Sequence, residues 1–229
     1  MAFVDLSKRK TLQTLAVAAS AAIIHAPMVE AAGREKPNLY ELLARPIMNE
    51  KGKPVQRIFR AHDGKEFNGE MLNVEALRKA QGSKFATLSF SFTGCGNAFC
   101  PWTNQKLASL GDNANLVHYV VNLAPELEGG FTPKNPKGDA RAQDAFLSRL
   151  RDGFGIKGKI VVLYPSSTEA AQQLQADSGM IAIVDGNPQS HASQIMLYGP
   201  DGKHIDQRNG AAESLNGWVD IIQGKKIGR

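Results

Sequence analysis

Phe85-Ala86-Thr87-Leu88-Ser89-Phe90-Ser91-Phe92-Thr93-Gly94-Cys95-Gly96-Asn97-Ala98-Phe99-Cys100-Pro101 is the stretch that decides the fold. Phe85 to Phe92, rich in Phe, Leu and Thr, reads as a buried central strand that runs directly into a glycine-containing segment. Pro101 suits the first position of a helix, where its missing N–H would have no partner and its fixed φ is already helical. Trp102 to Leu110 carries that helix on, with Leu107 and Leu110 at helical spacing. The two cysteines therefore fall where a central strand passes into its helix.

Working outward, Leu116 to Leu123 and Ile160 to Tyr164 read as two further buried strands. Between them Asp139 to Phe154 is amphipathic, with Ala142, Ala145, Phe146, Leu150 and Phe154 expected on the inner face. Ser166-Ser167-Thr168-Glu169 carries a capping signature for a helix through Leu174. Gln194 to Tyr198 and His204 to Gln207 flank the turn Gly199-Pro200-Asp201-Gly202 as a hairpin, and Ala211 to Ile222 is expected to close the chain as a helix. Upstream, Val55 to Phe59 reads as a short strand, Asp63-Gly64 as a turn, and Asn73 as the N-cap of a helix to Ala80. Residues 32–54 carry Pro37, Pro46, Gly52 and Pro54 and are expected to form an extended lead-in to a domain spanning 55–225. This order predicts an α/β fold: a thioredoxin-like three-layer sandwich, with a central mixed sheet and a C-terminal β-hairpin.

The chain has 229 residues, enough for one domain plus a processed segment. Residues 1–31 supply that segment: basic Ser7-Lys8-Arg9-Lys10, an apolar run from Leu12 to Ile24, and the small-residue pattern Val29-Glu30-Ala31-Ala32. It reads as a secretory signal peptide. The run is shorter than the ~20 residues of a spanning helix, so a membrane tether through an uncleaved anchor is the less favoured alternative. The formal net charge of +5 is spread with both signs intermixed, which argues against nucleic acid as a partner. Export to the periplasm, released or membrane-associated, places the cysteines where disulfides persist.

The chain has two cysteines, with Gly96-Asn97-Ala98-Phe99 between them. A bond across so small a loop adds little stability, so the pair points to redox chemistry or metal binding instead of a staple. A thiol at a helix N-terminus is favoured as thiolate, the form that attacks disulfides and ligates metals. Two thiolates suit Cu(I), zinc or thiol exchange, and an imidazole extends the range to Cu(II). Of the five histidines, His25 lies in the signal segment, and His62, His118 and His204 lie within or beside strands as core or surface residues. His191 differs: it follows the turn-rich Gly186-Asn187-Pro188-Gln189-Ser190 and precedes the hairpin, on a loop that would face the cysteine end. Met180 and Met196 read as core. Trp102 reads as a packed aromatic, with a docking surface beside the site as the other reading.

Over roughly residues 55–222 the chain resembles the SCO/SenC family of thioredoxin-like copper proteins. Phe90-Ser91-Phe92-Thr93-Gly94-Cys95 is similar to the strand leading to that family's first cysteine, and Cys100-Pro101 to its second cysteine and following proline. Ser190-His191-Ala192-Ser193-Gln194-Ile195-Met196-Leu197-Tyr198-Gly199-Pro200-Asp201-Gly202 resembles the segment in which the family's histidine ligand precedes a strand ending in a Pro-Asp-Gly turn. The resemblance implies that Cys95, Cys100 and His191 bind copper, as Cu(I) or Cu(II). It further implies delivery of copper to a respiratory oxidase subunit or another envelope copper or thiol protein, or reduction of the cysteines of the cytochrome c oxidase copper centre. Two departures stand out. The family spaces its cysteines by three residues, not four, and has an aspartate just before the proline, where this chain has Ala124 ahead of Pro125.

The alternative is an enzyme, an envelope thiol–disulfide oxidoreductase in which Cys95 or Cys100 attacks and the other resolves. A peroxidase would need a threonine and an arginine around its cysteine. Thr93 and Thr103 flank the site, but no arginine is near in sequence.

Overall fold

The computed structural model describes residues 36–48, 52–55, 59–93, 99–132, 134–179, 183–184, 187–188, 194–210 and 212–225. The chain divides into two compact units, Met1–Arg34 and Glu35–Arg229. The signal segment, Cys95, Met180 and His191 all lie outside the described residues.

In chain order the elements are α1 (Leu39–Ala44), β1 (Ile47–Met48), β2 (Pro54–Val55), β3 (Phe59–His62), β4 (Asn68–Leu72), α2 (Val74–Gln81), β5 (Phe85–Ser91) and α3 (Phe99–Ala108). There follow β6 (Leu116–Asn122), α4 (Pro125–Glu128), α5 (Ala140–Ser148), β7 (Lys159–Tyr164), α6 (Thr168–Asp177), β8 (Ile183–Val184), β9 (Asn187–Pro188), β10 (Gln194–Tyr198), β11 (His204–Asn209) and α7 (Asn216–Ile222). A seven-stranded sheet runs in the order β11-β10-β5-β6-β7-β3-β4. β5, β6 and β7 are parallel, while β10 lies antiparallel to β5 and β3 antiparallel to β7. Crossover connections through helices make the central part parallel, and short turns join β10 to β11 and β3 to β4 as antiparallel pairs at the two margins.

Residue alternation divides the core into two layers. Ala86, Leu88 and Phe90 of β5, Val117, Tyr119 and Val121 of β6, and Val161 and Leu163 of β7 pack with leucines of α1, α2 and α6. The opposite side, with Val120, Ile160, Val162 and Tyr164, packs against Leu107 of α3, Phe146 and Leu147 of α5, and Trp218 of α7. Such runs, buried on both faces, are what a parallel sheet covered by helices requires. The molecule is thus the expected thioredoxin-like sandwich with a mixed sheet and a C-terminal hairpin. Among the described residues, no helix is long and apolar enough to cross a membrane.

Four details depart from the sequence expectations. The lead-in is not all extended: Asn38 Oδ1 accepts from Tyr40 N at 2.9 Å, and this cap starts α1, whose Leu39, Leu42 and Leu43 are fully buried. Asn38 Nδ2 also donates to Asp201 O at 3.0 Å, and Leu39 N donates to Gly202 O, tying α1 to the hairpin turn. Helix α3 begins at Phe99, so Cys100 is in its first turn and Pro101 is no longer the first helical residue. The proline is tolerated because first-turn N–H groups have no helical acceptor. In α5 the inner face is Gln143, Phe146 and Leu147, while Ala145 is exposed, and the helix continues as a wider turn over Arg149–Gly153. Finally, the closing helix starts only at Asn216.

Candidate functional site

The site grows from the C-terminal ends of the parallel strands. β5 ends at Ser91, the chain is described to Thr93, and it reappears at Phe99 as α3. Cys100 is 6% exposed, so its thiol belongs to the core side of the helix. Trp102, expected to be packed, is 45% exposed at the same helical end.

Both flanks of the cysteine-bearing segment are held by hydrogen bonds, buried on the helix side and part-buried on the strand side. Asn104 Nδ2 of α3 donates to Ser91 Oγ of β5 at 3.0 Å, with both residues buried. On the strand side, the backbone N and the hydroxyl of Thr93 both donate to Glu128 Oε1. Glu128 Oε2 accepts from Asn122 Nδ2 at 2.6 Å, and Asn122 Oδ1 accepts from Ala124 N at 2.9 Å. Glu128 is 7% exposed at the end of the single-turn helix α4. Sequence reasoning noted Ala124 in place of an acidic residue and missed Glu128 one turn later. A proline-led turn carrying Glu126-Leu127-Glu128 directly after a buried strand is the signal that would have found it.

α4 also reaches the next helix. Glu126 accepts from Thr168 N at 2.8 Å and from Thr168 Oγ1 at 2.7 Å, beside the N-cap Ser167 of α6. A carboxylate is favoured at that end by the helix dipole. The ends of β5, β6 and β7 are thereby linked through α4.

The antiparallel edge converges on the same end. Met196, Leu197 and Tyr198 of β10 pair with Leu88, Thr87 and Ala86 of β5, so β10 begins, at Gln194, beside the end of β5. His191 is three residues earlier in the chain and lies outside the described residues. The turn-rich run before it contains β9, which pairs antiparallel with β8 just upstream, with Val184 opposite Asn187. Among the described residues, no group of three or more His, Cys, Asp or Glu side chains is arranged to hold a metal.

The described histidines, His62, His118 and His204, have structural partners. His62, 3% exposed, sits 2.8 Å from Asp144 Oδ1, and His204 stacks edge-on with Tyr198. His118 is 1% exposed, its Nδ1 2.8 Å from Thr87 Oγ1, and burial pushes its pKa down to about 4. Met196 is buried in β10, as expected of a core methionine.

A cavity of about 160 Å³ opens at the same end, lined by Arg60, Met71, Phe131, Tyr164, Pro165 and Ser166. Arg60 is remote from the cysteines in sequence, yet β3 brings it opposite Tyr164. Its guanidinium lies 5.3 Å from the Phe131 ring centroid, and Nη1 donates to Gly69 O. The Tyr164 hydroxyl has no hydrogen-bond partner among the described residues. Burial, then the nearby carboxylates of Glu128 and Asp144, push its pKa well above the usual range for a phenol.

No protein-family model matches the chain, and no curated protein matches it. Solved structures do. Arabidopsis thaliana ScoI with copper bound is similar at 15% identity and a TM-score of 0.47, over 72% of this chain and 93% of that one. A SCO1/SenC family lipoprotein from Bacillus anthracis str. Ames is similar at 17% identity and a TM-score of 0.49, over 74% of this chain and 91% of that one. Xanthomonas campestris peroxiredoxin Q is similar at 11% identity and a TM-score of 0.40, over 73% of this chain and 87% of that one.

Proposed function

We propose that the chain is an exported copper chaperone of the SCO/SenC kind that carries copper on Cys95, Cys100 and His191. Its task is to deliver that copper to the copper centre of a respiratory oxidase, or to reduce the cysteines of that centre. One observation carries the reading. The two described elements that flank the cysteine segment and the strand that begins just after His191 all meet at one end of the sheet. Two soft thiolates with one imidazole suit both copper oxidation states. In the reducing mode the Cys95–Cys100 dithiol becomes a disulfide while the partner's disulfide takes up the two electrons and two protons.

The burial of Cys100 bears on the second reading, an envelope thiol–disulfide oxidoreductase. A thiol 6% exposed is poorly placed to reach a disulfide on another protein. In that mode Cys95 attacks and Cys100 resolves.

Copper titration of the reduced full-length chain, with Cu(I) competition and Cu(II) absorption, tests the proposal beside the His191→Ala variant. The expected result is one tight equivalent and a thiolate-to-Cu(II) band that the variant loses. Copper binding that survives the change refutes the three-ligand site. No copper binding together with a reversible Cys95–Cys100 couple moves the assignment to the oxidoreductase.

A further inference from the structure

β3 and β7 set Arg60 and Tyr164 opposite each other, so both side chains leave the sheet on the same face. Phe131 lies across the two: its ring centroid is 5.2 Å from that of Tyr164 and 5.3 Å from the guanidinium carbon of Arg60. Met71, Pro165 and Ser166 complete the wall of the cavity of about 160 Å³ that opens there. At about 30 Å³ for a group the size of water, it has room for roughly five non-hydrogen atoms.

Two polar groups on this wall lack the partners their chemistry calls for. Tyr164 is fully buried, and its hydroxyl makes no hydrogen bond among the described residues. A buried hydroxyl left unsatisfied costs stability, and folded proteins keep few of them. Arg60 is half-buried, with one recorded hydrogen bond, a 3.3 Å contact from Nη1 to Gly69 O. Among the described residues it enters no ion pair. A guanidinium carries five N–H donors in a rigid fork and accepts nothing, so most of its donors remain unspent. The Tyr164 hydroxyl is a donor as well, because burial and the carboxylates of Glu128 and Asp144 keep it protonated. A charged donor and a buried neutral one therefore share one small, mostly apolar space.

We propose that this cavity binds a small monocarboxylate, whose oxygens take donors from Arg60 and Tyr164 while its short apolar tail lies against Phe131, Met71 and Pro165. The planar fork of Arg60 matches the edge of a carboxylate. Glu128 and Asp144, close enough to act on Tyr164, repel a phosphate dianion about twice as strongly as a monoanion. The volume limits the ligand to about the size of acetate or propionate. Cys95, Cys100 and His191 take no part, so this site and the copper reading stand or fall separately.

The test is an NMR titration of the nitrogen-labelled full chain with propionate, beside propionamide and inorganic phosphate, repeated on Tyr164→Phe and Arg60→Gln. Propionate should give saturable shifts of the amides of Arg60, Phe131, Tyr164 and Ser166, with a Kd of about 1 mM, as suits so small a ligand. Propionamide, which lacks the charge, should not saturate. Tyr164→Phe should weaken propionate about ten-fold, the usual worth of a hydrogen bond to a charged group. Its urea midpoint should stay level or rise, because the deleted hydroxyl has no partner in the ligand-free chain. Arg60→Gln should abolish saturation; if it does not fold, Tyr164→Phe decides. Shifts that never saturate, equal affinity in Tyr164→Phe, or a lowered midpoint in that variant overturn the proposal. Tighter binding of phosphate than of propionate overturns the assignment to a carboxylate.

Discussion

His118 makes the fold acid-sensitive in a way that can be worked out from its surroundings. It lies in the middle of β6, 1% exposed, and the cause of its depressed pKa is burial alone. In the unfolded chain the imidazole titrates near 6.5; in the folded chain it takes a proton only at about 4. The unfolded state therefore binds the extra proton first as pH falls, and stability is complete above pH 6.5 and lost progressively down to pH 4. Integrating the difference gives a loss of about 2 kcal/mol by pH 5 and about 3 kcal/mol by pH 4. That is a large fraction of the 5–15 kcal/mol that typically holds a domain together. With a urea slope of about 2 kcal/mol/M, the midpoint should fall by about 1.5 M from this group. Urea unfolding at pH 7, 5 and 4, followed by tryptophan fluorescence, compares the wild type with His118→Gln, which can still bond Thr87 but does not titrate in this range. Carboxylates destabilise both proteins as they protonate, so the difference between the two profiles isolates the histidine. The wild type should lose about 3 kcal/mol more than the variant between pH 7 and pH 4; parallel profiles refute the reasoning.

Two further outcomes test the N-terminal helix and its seat. Leu42→Ala should cost about 2–5 kcal/mol in chemical denaturation, because Leu42 is wholly buried in the layer formed with α2 and α6; a loss under about 0.5 kcal/mol would show that α1 is not part of the core. Gly202 has φ +78°, and a Cβ there would meet the Tyr40 ring at 2.6 Å and Asn38 Oδ1 at 2.8 Å. Gly202→Ala should therefore destabilise by more than about 1–2 kcal/mol and expose residues 36–44 to limited proteolysis; an unchanged cleavage pattern contradicts the seating of α1 on that turn.

The strands were legible because β5, β6 and β7 are covered on both faces and show as continuous apolar runs. The start of α2 was legible for a local reason: Asn73 caps it with its own side chain, 2.8 Å from Ala76 N. Helix α1 was not, because it is a six-residue turn between Pro37 and Pro46, too short for periodicity to outweigh the prolines. Its formation depends on three leucines finding a distant core, which no local window contains. The face of α5 was misjudged for a related reason. Gln143 looks like a surface residue, but it turns inward because its Nε2 serves the backbone carbonyls of Gly129 and Lys137.

The same distinction runs through the site. That Cys100 sits where a strand has passed into a helix follows from neighbouring residues, and the first turn of α3 is where that rule puts it. The bonding at Thr93 is long-range, since Thr93 and Glu128 are 35 positions apart. Yet the sheet prepares for it along its length. The residues of β5 that face the α3 side are Thr87, Ser89 and Ser91, and those of β6 include His118 and Asn122, all buried. Small hydroxyls there let α3 lie close, and each polar group that bonds across strands or to α3 ties the register of the central pair to the helix bearing Cys100. Apolar side chains of the same size would satisfy the packing, but in place of Thr87 and Asn122 they would leave His118 without its hydroxyl partner and Glu128 with the donors of Thr93 alone. The polar seam thus serves the middle of the sheet, where Thr87 meets His118, and its end, where Asn104 bonds Ser91 and Asn122 bonds Glu128.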